Sequence, residues 1–187
     1  EHLKRAGIDF TVYEKADEVG GTWRDNTFPG LYVDVLSRQY EFPFEPNFDW
    51  SRKFAPGSEV QAYLQDVASR RDLRRHIRFG EEITEARYSN GRWQLRTARG
   101  AGDTVDMLVC ATGFLRVPVY PEIEGMGSFA GPAFHSACWD HSVPLAQRHW
   151  GIIGGGASGV QITEALAHED CEVTQFIRRA QWVQIRD

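Results

Sequence analysis

The sequence has 187 residues, of which 42% are hydrophobic and 25% are charged, a balance typical of a globular protein rather than a disordered or fibrous one. Its formal net charge of -5 argues against a general nucleic-acid-binding protein, which needs a basic surface to displace counterions from phosphates. No apolar run approaches the roughly 20 residues that span a bilayer, so no transmembrane segment is expected.

The first residues, EHLKRAGIDF, look like the end of a helix that passes through Gly7 into a strand. This pattern suggests a fragment that lacks its start. Residues Ile8 to Glu14 alternate between apolar and polar positions, which predicts a strand. Glu14 stands at its end, where a βαβ unit places the acid that binds the unphosphorylated ribose of FAD or NAD. The alternative is an exposed acid at a strand end.

A helix is predicted from about Ser58 to Ser69, because apolar residues recur there at helical spacing. Ser58 and Gln61 have the spacing of a capping box at its start. Further on, Asn90-Gly91 separates two alternating segments and predicts a β-hairpin. An apolar strand is then predicted from Val105 to Cys110, followed by a turn of small residues.

The segment WGIIGGGASGVQITEALA predicts a strand, a glycine turn and a helix, and CEVTQFIRR predicts a second strand. Gly154, Gly156 and Gly159 form the pattern GxGxxG. The first glycine makes a tight turn, the second lets a pyrophosphate approach the backbone, and the third lets the helix pack on the strand. This context predicts a dinucleotide-binding unit, and a plain glycine-rich turn is the alternative.

Arg178 and Arg179 stand at the end of the second strand of this unit. An acid at that position would bind a ribose 2′-hydroxyl, whereas arginine suits a 2′-phosphate. The pair therefore favours NADPH over NADH. A solvated basic turn is the alternative.

Between the two halves lies FAGPAFHSACWD, from Phe129 to Asp140. His135 and Cys138 are three residues apart, yet the further ligands of a metal site and the third group of a nucleophilic pair are missing. We therefore expect His135 to tie down a linker through hydrogen bonds. The three cysteines, including Cys110 and Cys171, show no CxxC spacing, which indicates a reducing compartment such as the cytoplasm.

Several ordered motifs together resemble the type I Baeyer–Villiger monooxygenases, a family of flavin-dependent monooxygenases. GGTWRDNTFPGLYVDV resembles that family's GG-T-W…PG…D element, and CATGF resembles the turn that closes its FAD domain. FAGPAFHSACWD fits its FxGxxxHxxxW-[P/D] motif through Phe129, Gly131, His135, Trp139 and Asp140. The resemblance covers nearly the whole chain.

The resemblance implies an α/β fold with two Rossmann-like domains that bind FAD and NADPH, both incomplete in this chain. It assigns residues 1–116 to the FAD-binding domain, 117–148 to an interdomain linker and 149–187 to the start of the NADP-binding domain. Asp34 matches an aspartate that faces the flavin and the nicotinamide and takes part in catalysis. Many members carry an arginine two residues before this aspartate, where Tyr32 stands here. The positions implied to bind cofactors are Glu14, Gly21, Thr22, Trp23, Asp34, Tyr40, Gly154, Gly156, Ser158, Gly159, Arg178 and Arg179.

The implied activity inserts one oxygen atom of O2 next to the carbonyl of a small-molecule ketone, giving an ester or lactone. A flavin monooxygenase that oxidises nitrogen or sulfur is an alternative, although the ending Trp139-Asp140 favours the Baeyer–Villiger family. A catalytically silent nucleotide-binding fragment is a second alternative, because the FAD glycine turn and the family's active-site arginine would both lie outside these residues.

Overall fold

A computed structural model of the chain describes residues 1–182 and forms two compact units. The first unit contains Glu1–Arg24 and Gln61–Arg116, and the second contains Asp25–Val60 and the chain from Val117 onward. Residues 25–60, which the resemblance assigns to the FAD-binding domain, thus belong to the second unit. The last five residues of the range 149–187 lie outside the described residues. None of the helices within residues 1–182 has the length and apolar character needed to cross a bilayer.

The first unit begins with the short helix α1 and a parallel pair of strands. Helix α1 ends at Arg5 and Gly7 adopts a φ of +67°, which confirms the predicted exit from a helix. Strand β1 pairs with β2, a three-residue strand that the sequence did not reveal, with Val12 opposite Ile77. The bounds are His2–Arg5 for α1, Val12–Glu14 for β1, Thr22–Asp25 for α2 and Ile77–Phe79 for β2.

Three antiparallel strands in the order β3-β4-β5 complete the first unit. Asn90 and Gly91 both have positive φ values, 52° and 77°, which allow the two-residue turn and confirm the predicted hairpin. Leu95 and Thr97 of β4 are buried. The bounds are Ile83–Ser89 for β3, Arg92–Thr97 for β4 and Gly102–Val105 for β5.

The strand predicted from Val105 to Cys110 is wrong. Strand β5 ends at Val105, which pairs with Trp93 of β4. Because β4 itself begins at Arg92, the residues after Asp106 have no strand to pair with among residues 1–182. An extended segment without a ladder partner is not a strand, however apolar its sequence.

Helix α3, Gly57–Arg70, agrees with the helix predicted from Ser58 to Ser69. The predicted capping box is wrong, because Gln61 does not reach back to Ser58. Its Nε2 donates instead to the carbonyl of Val19 at 2.7 Å, and its Oε1 has no hydrogen-bond partner. The backbone N–H of Val60 donates to the carbonyl of Pro56, so the helix starts at Gly57, two residues earlier than a cap at Ser58 would place it.

The second unit contains a parallel βαβ unit around a small apolar core. Its strands β6, His149–Ile153, and β7, Glu172–Phe176, flank the helix α4, Ala157–Leu166. This confirms the strand, turn, helix and strand predicted around GxGxxG. The core consists of Phe28, Ile162 and Leu166, with Trp139, Trp150 and Val173 among the residues packed against it.

Candidate functional site

The glycine turn between β6 and α4 places each of its three glycines under a different constraint. Gly154 has a φ of +128°, which only glycine adopts readily. A Cβ on Gly159 would lie 2.6 Å from the carbonyl oxygen of Gly154, so the helix packs on the turn only because that atom is absent. A Cβ on Gly156 would meet nothing within 4 Å, so open space lies above the backbone where α4 begins.

Strand β7 holds this turn in place through two hydrogen bonds. The N–H of Gly154 donates to the carbonyl of Phe176 at 2.9 Å. The Nε2 of Gln175 donates to the carbonyl of Gly154, also at 2.9 Å. The turn therefore leaves Gly156 and Ser158 at the start of a ten-residue helix, where unpaired N–H groups favour an anion.

Arg178 and Arg179 lie two and three residues after Phe176, the last residue of β7, and both side chains are exposed. Neither forms an ion pair with a carboxylate among residues 1–182. Two cationic groups thus lie at the carboxyl end of the strand next to the glycine turn, the position that binds the ribose end of a dinucleotide in βαβ units.

The segment before Asp34 lies against α4, within the second unit. The Nε2 of Gln161 donates to the carbonyl of Tyr32 at 2.9 Å, and its Oε1 accepts from the Tyr32 N–H at 3.4 Å. The hydroxyl of Tyr32 donates to Glu164 at 3.1 Å. Tyr32, which stands where the resemblance implies an arginine, thus lies along the helix that follows the glycine turn.

Asp34 itself is exposed and follows Val33, which is fully buried. The Val33 N–H donates to the carbonyl of Ala55 at 3.0 Å, so the backbone is fixed just before the aspartate. Burial raises the pKa of the Tyr40 hydroxyl, and the negative charge of Asp34 raises that pKa further. Asp34 and Tyr40, both implied to bind cofactors, therefore lie close enough in the second unit for the charge of Asp34 to affect the Tyr40 hydroxyl.

In the first unit, the carboxylate of Glu14 lies at the end of β1, as the sequence predicts. Its Oε1 accepts the N–H of Ala16 at 2.9 Å and lies 3.5 Å from Arg24 Nη1. Arg24 also donates to the carbonyl of Glu18. Gly21, with a φ of +52°, opens the short helix that contains Thr22 and Trp23. Glu14 is therefore held in a fixed orientation by its neighbours.

The motif from Phe129 to Asp140 consists of turns and packing contacts around His135. The Nδ1 of His135 accepts the N–H of Ala137 at 3.0 Å, and the His135 N–H donates to the hydroxyl of Tyr120 at 3.3 Å. A Cβ on Gly131 would lie 2.7 Å from the ring of Phe129, so the ring covers that glycine. These contacts agree with the expectation that His135 ties down its segment by hydrogen bonds.

Trp139 and Asp140 end this motif in different ways. The Trp139 ring packs edge-on against Phe134 and stacks on Trp150 of β6. Asp140 accepts from both the N–H and the hydroxyl of Ser142, and the Ser142 hydroxyl bond is the main reason why the pKa of Asp140 lies below its usual value. Trp139 therefore packs into the core of the βαβ unit, while Asp140 closes a turn.

Gln161 is the residue that sequence reasoning missed. Its side chain is buried although it is polar, with 5% of its surface exposed. A glutamine two positions after the last glycine of GxGxxG shows no periodic signal that separates it from a surface residue. Only the contact with Tyr32, 129 residues earlier in the chain, reveals its place.

Comparison with known proteins shows the family to which this chain belongs. The model of a family described as pyridine nucleotide-disulphide oxidoreductase matches residues 2–187. An uncharacterised monooxygenase of Mycobacterium tuberculosis is 52% identical over 172 residues, covering 92% of this chain and 35% of the relative. A Baeyer–Villiger monooxygenase of Streptomyces coelicolor is 43% identical over 187 residues, covering 98% of this chain and 36% of the relative.

Solved structures give the same result. An open crystal structure of cyclohexanone monooxygenase superposes with a TM-score of 0.88 at 34% identity, covering 96% of this chain and 36% of that one. The complex of OTEMO with FAD and NADP gives a TM-score of 0.87 at 33% identity, covering 97% and 36%. The chain thus spans about a third of the length of the relatives it matches. These likenesses confirm the resemblance to flavin-dependent Baeyer–Villiger monooxygenases and the predicted α/β class with Rossmann-like domains.

Proposed function

This chain belongs to the pyridine nucleotide-disulphide oxidoreductase family, and we propose that its complete protein is an FAD- and NADPH-dependent Baeyer–Villiger monooxygenase. The reaction inserts one oxygen atom of O2 next to the carbonyl of a small-molecule ketone and gives an ester or lactone. A relative named as an acetone monooxygenase, 34% identical over 189 residues, supports a ketone as the substrate class. Within this proposal, residues 1–116 contribute to FAD binding, 117–148 link the domains and 149–187 begin NADPH binding.

The observation that carries the proposal is the glycine turn of the second unit. Gly156 faces open space, and the carbonyl of Gly154 already lies where a side chain on Gly159 would clash. A pyrophosphate fits over such a turn, because its charge meets the free N–H groups at the start of α4. Ser158, in the first turn of that helix, adds a hydroxyl at the same end.

The choice of NADPH rests on the two arginines after β7. A 2′-phosphate is a dianion that an arginine fork binds through paired hydrogen bonds, whereas a 2′-hydroxyl needs an acceptor. Arg178 and Arg179 are exposed at this strand end. No acid takes the position directly after Phe176, where Ile177 stands.

For FAD, the first unit offers Glu14 as the acceptor for a ribose hydroxyl. Its Oε1 accepts the Ala16 N–H and lies within ion-pair distance of Arg24, so these neighbours already orient the carboxylate for the ribose. We assign Gly21, Thr22 and Trp23 to the same cofactor. Gly21 has a φ of +52°, which glycine adopts more readily than other residues, and a Cβ there would meet nothing within 4 Å.

When bound, the flavin and the nicotinamide supply the electron transfer and oxygen activation that no protein side chain provides. The protein's part is to orient these groups and to fix charge around them. We assign Asp34 to this role, as an exposed carboxylate on a backbone fixed at Val33. Burial raises the pKa of the nearby Tyr40 hydroxyl, and the negative charge of Asp34 raises that pKa further.

Product analysis of the full-length protein tests this function. We expect flavin absorbance in the purified protein, oxidation of NADPH, and a lactone from a cyclic ketone such as cyclohexanone. Formation of a sulfoxide from a thioether or an N-oxide from an amine, without any lactone from the ketone, would favour the heteroatom-oxidising alternative. A protein that neither retains FAD nor oxidises NADPH would be a silent nucleotide-binding module instead.

A further inference from the structure

Gln161 links the helix of the glycine turn to the segment that carries Asp34. The side chain is 5% exposed, and its carboxamide binds both the N–H and the carbonyl of Tyr32, at 3.4 and 2.9 Å. Tyr32 lies two residues before Asp34, and Gln161 lies two residues after Gly159. A single buried side chain thus joins the helix after the glycine turn to the backbone of Tyr32, two residues before Asp34.

The chemistry of this contact specifies glutamine. A carboxamide has a donor and an acceptor, so it satisfies both backbone groups of Tyr32 as a neighbouring strand would. Glutamate lacks the donor and methionine lacks both groups. Asparagine is one methylene shorter. Loss of the amide would leave the Tyr32 N–H and carbonyl without these partners in a part-buried position.

The main chain of the same segment also lies directly against α4. Gly30 has a φ of +77°, and a Cβ there would lie 2.7 Å from the carbonyl oxygen of Gln161 and 2.8 Å from the Cβ of Ala165. The segment from Gly30 to Tyr32 is therefore fixed to α4 by close approach at one residue and by the amide at another. The contacts with this segment therefore extend along α4 from Gln161 to Ala165.

We propose that Gln161 is a positioning residue that orders the backbone before Asp34 when a nucleotide binds at the glycine turn. This inference rests on the proposed function, because it requires NADP+ or NADPH at that turn. A phosphate seated at the start of α4 restricts the helix, and the Gln161 amide passes that restriction to Tyr32. Val33, anchored to the Ala55 carbonyl on its other side, leaves Asp34 as the next residue to be ordered.

Hydrogen exchange on the full-length protein tests the inference without relying on activity. Exchange is followed in a peptide spanning residues 28–36, with and without NADP+. In the unmodified protein we expect NADP+ to slow the protected amides of this peptide by at least about threefold, since local opening reports ordering. In Gln161→Met we expect that protection to be lost, while the Kd for NADP+ changes by less than about threefold, because no contact with the nucleotide is removed.

Gln161→Asn provides a second variant that keeps the polarity of the site, and it decides the test if Gln161→Met does not fold. Gln94→Met, at an exposed position of β4, is the matched control and should retain the protection. In both Gln161 variants we also expect less product per NADPH consumed, with the KM for NADPH little changed. A folded Gln161 variant that keeps its NADP+-dependent protection would overturn the inference. An unmodified protein that binds no NADP+ would instead overturn the proposed function.

Discussion

Trp139 stacks on Trp150, with ring centroids 5.6 Å apart and ring planes at 18°. Trp139 comes from the motif between the two nucleotide-binding patterns, and Trp150 lies in β6, just before the glycine turn. The indole N–H of Trp150 donates to the carbonyl of Leu145 at 3.0 Å, which fixes that ring. The motif's tryptophan therefore supports the strand from which the glycine turn starts.

A double-mutant cycle tests this stacking. Trp139→Leu and Trp150→Leu should each lower the opening free energy of the β6 amides, and the pair should show a coupling of about 0.5–1.5 kcal/mol, typical of aromatic contacts. Native-state hydrogen exchange of the full-length protein measures both quantities. Trp93→Leu, in the first unit, should leave the β6 amides unchanged. Additive effects of the two substitutions would contradict an energetic role for the stacking.

The close approach of Gly30 to α4 predicts an unusually sensitive glycine. Gly30→Ala should lower stability by about 1–3 kcal/mol through overpacking, in addition to about 1–2 kcal/mol for its left-handed backbone. Gly100→Ala is the matched control, because Gly100 has a φ of +83° but nothing within 4 Å of an added Cβ. Thermal unfolding of both variants should show a larger loss for Gly30→Ala. Equal losses would mean that the segment moves away from the helix without difficulty.

Arg178→Ala tests the choice of nucleotide. Removing a charge-assisted hydrogen bond to a phosphate should raise the KM for NADPH about 10-fold or more, since such bonds contribute about 1.5–3 kcal/mol. The KM for NADH should change far less, because NADH has no 2′-phosphate. Steady-state kinetics with both nucleotides provide the measurement, and Arg87→Ala, in exposed β3, serves as the control. An equal loss with both nucleotides would refute the 2′-phosphate role.

Elements defined by short-range rules were predictable from the sequence, and those defined by distant partners were not. Asn90-Gly91 specifies its own turn, and the glycine spacing around Gly156 specifies the βαβ unit, because both follow from local backbone geometry. The prediction of a strand from Val105 to Cys110 was wrong, because an apolar sequence does not reveal whether a neighbouring strand is available for pairing. Gln61 fitted a capping box by spacing, yet it binds Val19.

The residues of the candidate site also fall into two groups, those that a local motif predicts and those that depend on a distant contact. Glu14, Gly154 and Gly159 lie where their motifs place them, and their cofactor roles stay predictions. Gln161 was not predictable, because its partner Tyr32 is 129 residues away and a helical glutamine normally faces water. The position of Tyr32 along α4 likewise depends on Gly30, whose close approach no local pattern indicates.

Asp34→Ala tests the role assigned to the exposed carboxylate. We expect oxygenated product per NADPH consumed to fall by more than about 10-fold, as for loss of a group that acts in the transition state, while the FAD content changes little. Flavin absorbance and product yield measure the two effects separately. Asp49→Ala removes another aspartate of the second unit as a control. Unchanged coupling of NADPH use to product would rule out the assignment.

The Tyr13 and Asp103 pair makes a pH-dependent prediction in the first unit. The Tyr13 hydroxyl donates to Asp103, and this hydrogen bond is the main reason why the pKa of the Asp103 carboxyl is lowered. The Nη1 atom of Arg78 lies 4.0 Å from the Oδ2 atom of Asp103. The pKa of Asp103 is lower in the folded protein than in the unfolded chain. The ionised carboxylate therefore stabilises the fold above the unfolded pKa of about 4, and this stabilisation is lost as the pH falls through the folded pKa.

Tyr13→Phe should therefore lower stability by about 1 kcal/mol at pH 7, a value reduced for solvent exposure, and by less at pH 3. Denaturant unfolding at the two pH values measures the difference. Tyr88→Phe, an exposed tyrosine of β3, should have no such pH dependence. A loss for Tyr13→Phe that is equal at pH 7 and pH 3 would show that the hydrogen bond does not depend on the charge of Asp103.

The hydrogen bond from Gln175 to the Gly154 carbonyl bears on the affinity of the proposed nucleotide site. Together with the bond from Gly154 to Phe176, it fixes the glycine loop through hydrogen bonds within the protein. A binding loop that is already shaped loses little conformational entropy when its ligand arrives. Under the proposed function, Gln175 therefore contributes to nucleotide affinity by keeping the loop in shape, without a contact to the nucleotide itself.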